Sequence, residues 1–322
     1  MKASAPNRRV RARRQRGAAL LLAMLILALV ASAASAMVWQ QQRAVELQAA
    51  ERVRTQAEWI LIGAQDWARL LLRQDANRAF PPSAGWARKL EESRLSQFLA
   101  ADRDTQHLAL PEVFLGGEID DAQSRYNLRR LVGEDGKPVA AEVAALRRLC
   151  AAAGADAALA DRLAERLASA WRSREPTAPL PPTRVEQLGW LGVDAALLAP
   201  ILPYVTLLPA PTPLNANTAQ APALVAAVDG LELHDAQRIV QALQRSPAPS
   251  SGVLQEMLPS GLTADPLRVG VQSSHFEVRA RLRWEDRVLE ERWLFQRSGV
   301  GGGAQVRVLR SERSSVPQGG PA

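Results

Sequence analysis

Three carboxylates fall within four residues, at Glu118, Asp120 and Asp121. Closely spaced acids can hold a hard cation, but this spacing is not the Asp/Asn ladder of a calcium loop and reads as a solvated turn. The three histidines, His107, His234 and His275, lie far apart, so the sequence does not cluster them as a metal or proton-transfer set. His234 reads as a surface or capping residue of a helical hairpin, and His275 as the opening residue of a strand. Cys150 is the only cysteine, which excludes an internal disulfide and a multi-cysteine zinc site. It sits in an alanine-rich helix and reads as a small buried side chain. No Gly-x-Ser-x-Gly, His-Glu-x-x-His or Cys-x-x-Cys occurs, so no nucleophile, base and orienting group are set out together. Gly301-Gly302-Gly303 lies between two predicted strands without the Lys-Ser/Thr of a phosphate loop, and reads as a flexible turn.

One motif points toward nucleic acid. Leu224 to Glu232, followed by Ala236, Ile239 and Val240, has the form of a helix-hairpin-helix, whose turn offers backbone N–H groups to a phosphate. Here Glu232 stands where the second turn glycine is expected, with Asp229 and Asp235 beside it, and carboxylates repel phosphate. The net charge of +7 and pI near 10.5 look basic. Seven of the 40 basic residues, Lys2 to Arg16, precede Gly17; without them 33 basic face 33 acidic residues. The rest of the chain is neutral, against a large polyanionic partner.

The elements that position these residues begin with an uncharged stretch between Arg16 and Arg43. Ala18 to Val38 is apolar or small, and 21 residues at about 1.5 Å each span roughly 30 Å, the thickness of a bilayer core. The charges before it keep the N-terminus cytoplasmic. Two readings compete. Ala34-Ser35-Ala36 fits a cleaved secretory signal with mature protein from Met37. Arg16-Gly17-Ala18-Ala19-Leu20 instead has the form of a prepilin-type leader, cut between Gly17 and Ala18, with the apolar segment retained. Beyond it, Leu47, Ala50, Val53, Ala57, Ile60, Ala64, Trp67 and Leu71 recur at steps of three and four, predicting one continuous helix over 18–74.

Residues 112–128 read as a short hairpin, with Asp120-Asp121 as punctuation. From 138 to 265 the chain reads as helical, in two lobes separated by the prolines of 200–213. Asp156 is an expected N-cap. Phe276, Val278, Ala280, Leu282 and Trp284 alternate with charged residues, predicting a half-buried strand; further strands are expected at 288–297 and 305–311, and a disordered tail from Ser314. The fold class is α+β: a long N-terminal helix on a small antiparallel sheet, interrupted by an all-α insertion of two lobes. The expected divisions are 1–17, 18–38, 39–128, 129–213, 214–266, 267–313 and 314–322.

The leader Arg16 to Leu21, the segment Ile119 to Leu128, the stretch Leu208-Pro209 to Leu214-Asn215-Ala216-Asn217-Thr218-Ala219, and Ser273-Ser274-His275-Phe276 occur in that order. The ordered set resembles the K minor pseudopilins of the bacterial type II secretion system. The resemblance implies a pilin-like body carrying two helix-hairpin-helix-like or SAM-like lobes. It also implies a single-pass inner-membrane protein with a cytoplasmic N-terminus and a periplasmic bulk. By the same resemblance, prepilin peptidase cuts at Gly17–Ala18, and Ala18 becomes N-methylated. The I and J minor pseudopilins are the implied partners at the tip of the pseudopilus, and the bilayer holds residues 18–38. Leu47, Val53, Ile60 and Trp67 are the expected packing and partner face. Contact of the insertion with secretin or secreted cargo is a hypothesis, and no nucleic acid is expected. Most pilins carry Glu five residues into the mature chain; Leu22 stands there, as in this family, which suits a subunit with no neighbour above it. No cofactor is assigned: calcium is implied for the family, but no ligand pattern carries over. Ser124-Arg125-Tyr126 replaces the commoner Gly-Arg-Phe. The rival reading is a membrane-tethered DNA-uptake protein using the 214–245 hairpin.

Overall fold

The computed structural model describes residues 8–77, 89–95, 112–172, 180–284, 287–299 and 303–317. The chain divides into two units, Met1–Ile62 and Gly63–Ala322. The first is the helix α1, which begins at Arg8 and runs without a break to Gln74 in the second. Every residue from Ala19 to Ala50 is exposed, and the helix is long and apolar enough to cross a membrane. An apolar helix with no polar face and no protein cover is what a lipid solvent selects, because its backbone groups are all bonded internally.

In the second unit, five strands form one antiparallel sheet in the order β1-β2-β7-β8-β9. They are β1 Leu90–Arg94, β2 Val113–Asp121, β7 His275–Trp284, β8 Arg287–Ser298 and β9 Gln305–Pro317. The period-two pattern of β7 buries Phe276, Val278, Ala280 and Leu282 on one face, each large side chain stabilising by about 1.5–3 kcal/mol. The expected hairpin at 112–128 is instead one nine-residue strand, and its partner is β7, with Asp121 opposite Phe276 and Val113 opposite Trp284. Asp120 and Asp121 end the strand rather than turn it, because their side chains are accommodated on its two faces. Gly117 permits close pairing there: a Cβ would sit 2.8 Å from the Arg279 carbonyl oxygen. The last strand runs to Pro317 and not to 311, so residues 314–317, expected in a disordered tail, pair with 287–290; residues 318–322 lie outside the described set.

Between β2 and β7 the helical block is built in two lobes. In the first, α2 (Ala140–Ala152) and α3 (Ala158–Arg172) bury Leu146, Leu149, Leu159, Leu163 and Leu167 at helical spacing. Gly154, left-handed at φ 74°, stops α2, and the Asp156 carboxylate accepts from the Ala158 N–H at 2.9 Å to start α3. In the second, α4 (Ala221–Ala227), α5 (Leu233–Arg245) and α6 (Ser251–Met257) enclose Leu224, Ile239, Leu243 and Leu254. The helix α6 is absent from the sequence reading because its start, Ser250-Ser251-Gly252, looks like loop. Each lobe is closed by a two-residue parallel pair at its ends. β3 (Tyr126–Asn127) pairs with β4 (Val205–Thr206), and β5 (Leu214–Asn215) with β6 (Val269–Gly270).

Candidate functional site

The residues quoted for their order in the chain meet in space, at the seam between the sheet and the helical block. Asp121, the last residue of β2, is 5% exposed. Its carboxylate accepts from Ser273 Oγ and Thr218 Oγ1 at 2.6 Å each, from Asn215 Nδ2 at 2.8 Å and from the Gln123 backbone N–H at 2.8 Å. Burial raises its pKa, and those four donors act in the opposite direction. The carboxylate thus has neutral partners from both the sheet end and the second lobe.

Three carboxamides continue the seam. Gln123 donates to the Pro213 carbonyl at 2.8 Å, while its oxygen accepts from the Ser274 N–H at 2.7 Å and the His275 N–H at 3.1 Å. Asn127 accepts from the Leu208 N–H at 3.1 Å and donates to Ala210 O at 2.8 Å. Asn217 exchanges two bonds with the backbone of Ala248, at 2.9 and 3.0 Å, and donates to Val271 O at 3.1 Å. Buried backbone groups that no regular ladder reaches must be bonded by side chains, and here Asn and Gln do so at each crossing. A small apolar plug of Ala122, Leu208 and Leu294 lies beside them. Arg297 adds a cationic strap: it donates to Ser273 O at 2.9 Å and to Leu72 O at 3.3 Å, over the Phe276 ring.

A second seam joins the two lobes, and it is ionic. Glu142 accepts from Tyr126 Oη at 2.6 Å and Arg130 at 2.7 Å, with Arg268 at 3.5 Å. Burial alone would raise the Glu142 pKa, but these partners together bring it below the ordinary value; burial first, and then the same acid, push the Tyr126 phenol well up. Arg268 continues to Asp229 at 2.8 Å, where Arg148 also pairs, and both arginines donate to Ala226 O at 3.0 Å, closing the end of α4.

This seam contains the helix-hairpin-helix turn. Gly230 has φ 78°, as the turn requires. Its neighbour Asp229 is held by the chain's own arginines, and Glu232 precedes α5 as its N-cap residue. A turn furnished with two carboxylates and internal counterions is a poor phosphate cradle.

Elsewhere, Arg125, Arg184, Arg279 and Arg292 line a cleft of about 120 Å³ between sheet and first lobe. Each has an acidic partner: Glu277 at 2.6 Å, Glu312, Glu118 at 2.5 Å and Glu290 at 2.6 Å respectively. The strand's alternation separates Asp121 from the other two acids: Glu118 pairs with Arg279 on the face it shares with Asp120, and Asp121 is buried on the other. Among the described residues no group of three His, Cys, Asp or Glu could hold a metal ion. Cys150 is buried, with its thiol pushed up to about 11 by burial first and Asp156 second.

Gly17 and Ala18 lie inside α1. Of the expected helix face, Leu47 is 61% and Trp67 46% exposed, and Val53 and Ile60 are half-buried. The fully buried positions are Ala57, Leu61, Ala68 and Leu72. Ala57 belongs to the predicted series; Leu61, Ala68 and Leu72 share its spacing but sit one residue round from Ile60, Trp67 and Leu71. Trp59, Ile62 and Leu70 are exposed as well. The sequence reading found the period and missed this rotation, because both faces of α1 carry large apolar residues. It also missed the polar seam, whose signal was the run of Asp, Gln, Asn and Ser within its own motifs.

No curated protein matches the chain in sequence. In fold, it is similar to a chain of the crystal structure of the GspK-GspI-GspJ complex from the enterotoxigenic Escherichia coli type 2 secretion system, with a TM-score of 0.58 at 18% identity, covering 82% of this chain and 98% of that one. Two family descriptions match the helical block in succession, both of type II secretion system protein K, at residues 124–210 and 214–273. The division between them falls at the connector that separates the lobes, so each lobe of the helical block matches its own part of type II secretion system protein K.

Proposed function

We infer that the protein is a non-catalytic minor pseudopilin that caps the tip of the periplasmic pseudopilus and thereby supports protein secretion. The observation that carries this is the block of residues 124–273 matched to protein K, set between adjacent strands β2 and β7 of a sheet that follows a long apolar-ended helix. A side domain of that size is hard to accommodate along a closely packed filament and fits at an end. Prepilin peptidase cleaves at Gly17–Ala18, Ala18 becomes methylated, and residues 18–38 anchor the chain in the inner membrane with the bulk periplasmic. The I and J minor pseudopilins are the proposed partners. Leu47 and Trp67 are the predicted residues left exposed to serve that contact, together with Trp59, Ile62 and Leu70; Val53 and Ile60 are half-buried. The lobes face secretin or cargo, and absence of nucleic-acid binding is a further expectation; no cofactor is assigned.

The test is intact mass and N-terminal sequence of membrane-extracted protein, paired with a secretion assay of a chain lacking residues 138–265. A methylated Ala18 start and lost secretion are expected; a Met37 start, or intact secretion by the deleted chain, overturns the reading.

A further inference from the structure

The apolar stretch of α1 ends at Trp39, which is 64% exposed, and the next charge is Arg43. They lie four residues apart, on one side of the helix, and the Arg43 guanidinium stands over the Trp39 ring, 5.5 Å from its centroid. From Ala18 to Arg43 the helix rises about 38 Å, and from Arg16 about 40 Å, the thickness of a bilayer with its headgroup layers. A charge at each end therefore falls among phosphates when the span lies across the membrane. Tryptophan concentrates at that depth, because its ring is apolar and its N–H needs a polar partner. Arginine presents a planar fork of donors that matches phosphate. The residues between, Gln40, Gln41 and Gln42, are uncharged, so Arg43 is the first cation to meet the outer headgroup layer.

We propose that Trp39 and Arg43 together form a phospholipid clamp, the ring seated at the acyl–glycerol boundary and the guanidinium on a headgroup phosphate. The clamp fixes how far α1 emerges from the membrane. This rests on the anchor reading above. After cleavage at Gly17 the cytoplasmic arginines are gone, and the amine of residue 18 and Arg43 are the charges that bracket the span.

The experiment uses the full chain in vesicles of phosphatidylethanolamine and phosphatidylglycerol carrying bromine at defined acyl positions, with tryptophan emission as readout. Flotation with the vesicles is scored first. Quenching by bromines near the glycerol end is expected, with loss of that component in Trp39→Phe. In Arg43→Ala the depth of strongest quenching should move inward by about one helical turn, ~5 Å, while Arg43→Lys largely keeps it. Free inorganic phosphate should not compete, since the site is the lipid surface. Flotation with unchanged quenching in Trp39→Phe, or an Arg43→Ala profile identical to the parent, overturns the clamp and leaves the anchor standing. Failure to float overturns both.

Discussion

The two seams of the second unit solve one problem with opposite chemistry. Where the sheet meets the second lobe, the buried carboxylate of Asp121 is served by neutral donors. The lobes are joined to each other by charges of both signs, Glu142 and Asp229 among Arg130, Arg148 and Arg268. Neutral donors leave burial as the leading influence on Asp121, so its pKa rises; counterions overcome burial at Glu142, so its pKa falls. Deep burial with neutral partners and shallower burial with counterions give opposite signs.

The strongest way to break the comparison is Glu142→Ala. It leaves Arg130 and Arg268 facing each other without their acid and should cost about 3–5 kcal/mol, read by chemical denaturation of the detergent-solubilised chain. Asp121→Ala strands three side-chain donors and should cost about 2–3 kcal/mol, with faster hydrogen exchange at β2 and β7 and little change within α2 and α3. Asn217→Ala removes the bonds to Ala248 and Val271 and should cost about 1–2 kcal/mol by the same measure.

Acid separates the seams by sign. The Glu142 pKa is lowered in the fold, so its contribution is complete above the ordinary 4.5 and is lost as pH falls through the folded value. That of Asp121 is raised above 3.8, so the folded state holds the proton better and acidification relieves its burial cost. Thermal unfolding between pH 6 and pH 3 should show a fall below about pH 4.5 that Glu142→Gln flattens; an identical fall in Glu142→Gln would refute the assignment. The smallest effect belongs to Arg147→Ala, whose pair with Asp161 is surface-exposed: an unchanged denaturation midpoint is expected.

Much of this frame was legible in local patterns. Period two found β7 and β8, Gly154 and Asp156 marked the α2–α3 corner, and the apolar run of α1 needed no context. What was not legible was long-range. β2 finds its partner more than 150 residues away, and no local spacing announces that, so Asp120-Asp121 looked like a turn. The buried stripe of α1 was only partly legible, with Ala57 alone of the predicted series fully buried, because Trp67 is apolar whether it faces core or solvent. The seams escaped because Asn and Asp in loops are ordinary turn formers; only their convergence shows them to be the bonds that hold the block.

Asp121 and Phe276, where the helical block leaves and rejoins the sheet, stand directly opposite each other on neighbouring strands. Tension applied to the ends of the folded unit would enter β2 at Val113 and leave β7 at Trp284, which are also paired, so it loads the far end of their ladder first, without entering the 153 residues from Ala122 to Ser274. The lobes ride on that path as an unstressed passenger. The block can therefore keep its shape while the sheet that carries it is under load.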